Sequence, residues 1–144
     1  MKLADSNVWI ALAISGHEHH AQVSAWFVQQ SPRDVALCRM TQLALLRLLT
    51  TQAVLNAYGL APLTNAQAWK VYDDLLSDAR VTFTEEPSGL EVTMKRLSSG
   101  STASPKLWMD AYLASLALDG GHQLVTIDTG FTQFGGLDLV ILKK

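Results

Sequence analysis

Ten residues at the N-terminus narrow the choice of fold more than any others. The apolar pair Leu3-Ala4 runs into Asp5-Ser6-Asn7 and then into Val8-Trp9-Ile10-Ala11-Leu12. Val8, Ala11 and Leu12 recur at helical spacing, and Ser6 or Asn7 has the side chain of an N-cap, so a short buried strand passes at once into a helix. Such a turn leaves the Asp5 carboxylate at the C-terminal edge of a sheet. In open α/β sheets that edge is where ligands bind.

The alternation continues along the chain. Ser31-Pro32-Arg33-Asp34 is a turn signal, and Val35 to Cys38 is a continuous apolar run of the kind found in parallel strands buried on both faces. Arg39 and Met40 end it, and Thr41 reads as the N-cap of an apolar helix from Gln42 to Leu49. Gln42 therefore stands in a first helical turn just past a strand end. Arg80 to Thr84 alternates as a strand, closed by Glu85-Glu86-Pro87, with a helix expected from Ser88 to Leu97. Gln123 to Ile127 is a further strand with Asp128 just beyond it, and Leu139 to Leu142 is the last. Helical patterns cover His17 to Val28, with His20, Val23 and Phe27 on one face, and Thr64 to Leu76, with Ala68, Trp69, Tyr72, Leu75 and Leu76 inward. Leu107 to Leu118 is a nearly all-apolar helix, whereas Thr51 to Leu63, interrupted by Gly59 and Pro62, has no regular pattern. This is an α/β protein with a parallel sheet.

A chain of 144 residues is expected to form one domain over residues 1–144, burying about 70% of the surface its unfolded chain would expose. The lone Cys38 lies in an apolar run, which suits a buried structural thiol and excludes an internal disulfide. No apolar run approaches the ~20 residues that span a bilayer, and Asp5 interrupts any signal-peptide core, so a soluble cytoplasmic protein without a membrane partner is expected. A net charge of −2 argues against holding nucleic acid by bulk positive charge. His17 and His20 have metal-ligand spacing but no third ligand nearby, so they read as a polar helix start with one histidine packed on the core, and Asp73-Asp74, which point about 100° apart on a helix, read as a solvated face.

Connectivity gathers the remaining polar residues. In a right-handed strand-helix-strand crossover the helix N-terminus lies at the strands' C-terminal edge. Asp110 begins the helix that leads into strand 123–127, so it shares an edge with Asp5 and Asp128, and Gln42 joins them. The helix dipole alone would also favour an acid at position 110. Three converging carboxylates raise one another's pKa and oppose folding. A hard divalent cation resolves that conflict, and all-oxygen ligands suit Mg²⁺ or Mn²⁺ rather than zinc.

Four blocks carry a family resemblance: Asp5-Ser6-Asn7-Val8-Trp9, Thr41-Gln42-Leu43, Trp108-Met109-Asp110-Ala111-Tyr112-Leu113-Ala114, and Thr126-Ile127-Asp128-Thr129-Gly130-Phe131. In order and spacing they resemble the signature blocks of PIN-domain ribonucleases, particularly VapC-type toxins. The resemblance implies a three-layer α/β/α sandwich with a central parallel sheet of about five strands, and metal-dependent (Mg²⁺ or Mn²⁺) endoribonuclease activity. It implies metal-binding roles for Asp5, Asp110 and Asp128, with Asn7 and Thr126 supporting them, and a cognate antitoxin that covers or enters the pocket. Gln42 departs from the family's common glutamate, and an amide brings no charge. Arg39 and Lys106 flank the expected pocket as RNA contacts or as ordinary surface charges. The polar loop from Ser98 to Pro105 is placed to admit or cover substrate.

Two other classes remain open at this point. Phosphoryl-transfer enzymes of the haloacid dehalogenase or receiver type also use an aspartate at a strand end. Asp5, however, has Asn7 where the dehalogenase pattern needs a second acid, and receivers use a middle strand, which the chain's first strand is not expected to be. A non-catalytic interaction module would keep the acids without the chemistry. A mean hydropathy of +0.16 with Trp26, Trp69 and Tyr58 on the surface would suit a homodimer or a toxin-antitoxin hetero-oligomer.

Overall fold

A computed structural model describes residues 1–144. Five short strands, β1 (Lys2–Ala4), β2 (Val35–Leu37), β3 (Val81–Phe83), β4 (Gln123–Thr126) and β5 (Leu139–Ile141), form one sheet in the order β3-β2-β1-β4-β5. Every pairing is parallel. The helices are α1 (Ser6–Ala13), α2 (His20–Phe27), α3 (Arg39–Leu49), α4 (Gln52–Asn56), α5 (Asn65–Ser77), α6 (Leu90–Ser98) and α7 (Leu107–Gly120). β1 comes first in the chain but lies at the centre of the sheet, so strand position does not separate Asp5 from a receiver-type aspartate.

Side-chain alternation along the strands builds the outer two layers. Leu3, Ala36 and Leu124 face α6, α7 and the aromatic pair Phe131 and Phe134. Ala4, Val35, Leu37, Val81 and Val125 face the opposite layer of α1, α2, α3 and α5, whose core includes Trp9, Phe27, Leu45 and Tyr72. The result is the three-layer α/β/α sandwich. No helix is long and apolar enough to cross a membrane.

Several boundaries differ from the sequence reading, each for a local reason. Asp5, rather than Ser6 or Asn7, caps α1, accepting a hydrogen bond from the Ser6 N–H. The α3 helix starts at Arg39, not after Thr41. The Thr41 hydroxyl reaches back to accept from the Cys38 N–H at 2.9 Å, as a third-position side chain does in a capping box, and Gln42 sits one turn into the helix. The unplaced segment contains α4, held by Leu55 in the core. Trp69, placed inward by helical spacing but also read as a surface indole, is 47% exposed because α5 buries the Ala68 and Tyr72 stripe instead. Cys38 is buried as expected.

Glycine terminates α7. Gly121 caps the helix at φ 66°, and its N–H bonds back to the carbonyls of Ala117 and Leu118. A side chain there would meet no neighbour, so backbone conformation is the whole penalty. Gly121→Ala is expected to cost about 1 kcal/mol, read as a lowered Tm with activity retained.

Candidate active site

Strand register sets the first contact. Ala4 pairs with Val125, so Asp5 and Thr126 emerge side by side at the C-terminal edge although 121 residues separate them. The Asp5 N–H continues the ladder to the Val125 carbonyl at 2.9 Å, and the Trp9 indole N–H, fully buried, binds the Ala4 carbonyl at 3.0 Å. These two bonds tie the start of α1 to the sheet. Asp5 is 9% exposed, with one carboxylate oxygen accepting from the Ser6 N–H at 2.7 Å and the other from the Thr126 hydroxyl at 2.9 Å.

The Thr126 hydroxyl is a hub. It accepts from the Asn7 amide at 3.1 Å and from the Asp128 N–H at 3.0 Å, and its single proton has the Asp5 carboxylate as nearer acceptor at 2.9 Å, with the Asn7 carbonyl farther off at 3.4 Å. Asn7 also brings its carbonyl toward the Ile127 N–H at 3.4 Å. Asp128 is exposed and turns one oxygen back to the Gly130 N–H at 2.8 Å, capping the 3-10 turn of Thr129–Gln133.

Asp110 enters from the first turn of α7 and lines a cavity of about 240 Å³ with Ser104, Lys106, Leu107 and Gln133. Burial raises the pKa of Asp5, opposed by the Thr126 and Ser6 hydrogen bonds and reinforced by the charge of Asp110. Asp110 is raised by burial and then by the charge of Asp128. The charge of Asp110 is thus felt at Asp5, and that of Asp128 at Asp110.

Gln42 takes a different course. It is 4% exposed, its carbonyl accepts from the Arg39 guanidinium, and its other polar neighbour is the Tyr72 hydroxyl. It makes no hydrogen bond to Asp5, Asp110 or Asp128. Arg39 lies over the Phe83 ring at 5.0 Å and borders a separate cavity with Thr84, Glu85, Glu86 and Tyr112. Of the two expected flanking cations, Lys106 shares a cavity with an acid of the site and Arg39 does not. Sequence reasoning missed Ser6 as an Asp5 donor and Ser104 and Gln133 as neighbours of Asp110. A hydroxyl beside a capping aspartate could have signalled the first; nothing local marks the others.

The raised carboxyls make a pH prediction for protein in chelator. A carboxyl whose folded pKa exceeds its unfolded value destabilises the fold when ionised, so stability rises as pH falls from neutral through that elevated range toward about 4. Asp78 acts in the opposite sense. Its hydrogen-bonded pairing with Arg80 lowers its pKa to about 2, so the stability it contributes is lost as pH falls from the ordinary carboxylate range toward that value. Burial lowers the imidazole pKa of His17 and of His122, so these groups too cost stability as pH falls below about 6.5. Thermal unfolding of the parent beside Asp5→Asn isolates the carboxyl: the parent's Tm should change more favourably than the variant's as pH falls from 7 toward 5, and a constant difference between the two would contradict the burial of a charged Asp5.

The PIN domain family model matches residues 2–137. Ribonuclease VapC41 of Mycobacterium tuberculosis is 49% identical over 146 residues, covering 100% of both chains. Ribonuclease VapC29 of the same organism is 29% identical over 97% of this chain and 94% of its own. Among solved structures, Mycobacterium tuberculosis VapC20, a Sarcin-Ricin loop cleaving toxin, superposes with a TM-score of 0.68 at 16% identity, covering 96% of this chain and 98% of that one. VapBC2 from Rickettsia felis, bound to a DNA fragment from its promoter, gives 0.66 at 13% identity over 99% and 98%. With the family model spanning nearly the whole chain and a full-length relative at 49% identity, the chain belongs to the PIN-domain family as a VapC-type member.

Proposed function

We propose that this protein is an endoribonuclease, the toxin of a toxin-antitoxin pair, which hydrolyses RNA phosphodiesters at the edge formed by Asp5, Asp110 and Asp128 with Mg²⁺ or Mn²⁺. The observation that carries the reading is the buried, hydroxyl-anchored Asp5 carboxylate in the electrostatic field of Asp110, which in turn feels Asp128. The donor set is all oxygen, as a hard cation requires. No three His, Cys, Asp or Glu side chains are gathered into a ready-made cage, but Mg²⁺ is commonly held by one or two carboxylates together with waters and substrate phosphate. Asp5, Asp110 and Asp128 would hold it. When bound, the ion supplies charge neutralisation and an activated water for attack on phosphorus.

The protein's own groups do the positioning. Thr126 holds Asp5 in one rotamer and, by donating to the carboxylate, favours its ionised form against the burial that raises its pKa. Asn7 and the Asp128 N–H fix the hydroxyl in turn. Lys106, which lines a cavity with Asp110, adds a cation for the RNA backbone.

A phosphoryl-transfer role with Asp5 as nucleophile fits less well, since the Asp5 carboxylate is buried and Asn7 stands where the dehalogenase pattern needs a second acid. The relatives are named ribonucleases, and several fold neighbours were solved as VapBC complexes. A cognate antitoxin is therefore the expected partner, within a homodimer or hetero-oligomer that covers exposed Leu43, Trp69 and Met109. Incubating total RNA with the protein in Mg²⁺, in Mn²⁺ and in chelator tests the reading. Discrete cleavage products with either metal and none in chelator are expected, and products of equal yield in chelator would refute metal dependence.

A further inference from the structure

Trp108 is 55% exposed on the first turn of α7 and stacks on no other aromatic ring of the fold. It borders a cavity of about 440 Å³ together with Lys95 and the hydroxyl-rich 98–104 loop. Ser104 and Leu107 line this cavity and also the one that contains Lys106 and Asp110, so the two hollows are adjoining parts of one groove. The other half-exposed indole, Trp69, lies edge-on to Tyr72 and opens onto a cavity between α3 and α5 that shares no residue with the acidic edge. Charge singles out the same stretch. Between Glu91 and Asp110 the chain carries Lys95, Arg96 and Lys106 and no acid, although the protein as a whole is net negative.

We propose that this groove is a nucleotide subsite, in which a base flanking the scissile phosphate of single-stranded RNA stacks on the Trp108 indole while Lys95 and Lys106 follow the backbone. The inference rests on the nuclease reading of the Asp5, Asp110 and Asp128 edge. An exposed indole offers a π-face to any base, and adjacent lysines and hydroxyls match a sugar-phosphate chain. A base already stacked within a duplex cannot use that face, so unpaired segments are selected. The adjoining Asp110 cavity then receives the phosphate next to the stacked base.

The test is a binding cycle in EDTA, where no cleavage is needed. The parent, Trp108→Ala, Trp108→Leu and Trp108→Phe are titrated with a mixed-sequence single-stranded RNA and with an abasic oligomer of the same length. Trp108→Ala and Trp108→Leu should weaken binding of the RNA roughly 5- to 150-fold, the equivalent of one lost base stack. Trp108→Phe should keep most of it, and the abasic oligomer should distinguish none of the four proteins. Equal RNA affinity for parent and Trp108→Leu would overturn the subsite and leave the indole as apolar surface for a protein partner. An equal loss on the abasic oligomer would overturn stacking. Failure of the parent to cleave RNA in Mg²⁺ or Mn²⁺, with the Trp108-dependent binding intact, would refute the nuclease reading alone.

Discussion

Asp5→Asn and Asp110→Asn are each expected to lower metal-dependent RNA cleavage by at least about 100-fold, because even residues that only support a metal's ligands cost 10–100-fold when replaced. The folds should survive, for different reasons. Asp110 is half-buried and raised by burial and by Asp128, so neutralising it relieves both and should leave the metal-free protein as stable or slightly more so. Asp5→Asn relieves a larger burial penalty but loses a bond. The new amide would present N–H groups to a Thr126 hydroxyl that already accepts from Asn7 and from the Asp128 N–H. Its stability should therefore change little. Cleavage of total RNA followed in parallel with thermal unfolding checks both, and a variant that cuts RNA at the parent's rate would remove that acid from the reaction.

Thr126→Val should be nearly as damaging, by about 10- to 100-fold in cleavage, although Thr126 is not expected to touch the substrate. Valine keeps the shape and deletes the only donor to the inner oxygen of Asp5. It also leaves the Asn7 amide and the Asp128 N–H without their acceptor, at a cost in stability of about 1–3 kcal/mol. Loss of a stabilised carboxylate raises the Asp5 pKa further, so the acid limb of the pH-rate profile should move to higher pH. Thr126→Ser restores the hydroxyl and should return both the rate and the limb toward the parent. A variant with reduced stability but an unshifted profile would limit Thr126 to a structural role.

Gln42 shows where such reasoning needs the third dimension. From sequence it joins the acids, since it lies near the start of a helix that follows a strand. In the folded chain Arg39, three residues earlier on the same helix, occupies its carbonyl, and Tyr72 of α5 lies beside it. Gln42→Glu would accordingly form a buried pair with Arg39 before it altered the charge at Asp5. Trp69 makes the same point, because helical spacing assigns the indole a side but not whether another element covers that side.

The sequence by itself determined the alternation of strands and helices, with Asp5 and Asp128 just past strand ends and Asp110 in the first turn of the helix that leads into β4. These placements follow from local periodicity, which holds wherever the strands finally pair. Only the tertiary structure decided that β1 lies at the centre of the sheet, that Thr126 rather than another polar group holds Asp5, and that Gln42 faces Arg39 and Tyr72. Those outcomes depend on strand order, on the register of Ala4 with Val125, and on the packing of α3 against α5. Each joins residues far apart in the chain, and no local pattern encodes such a pairing.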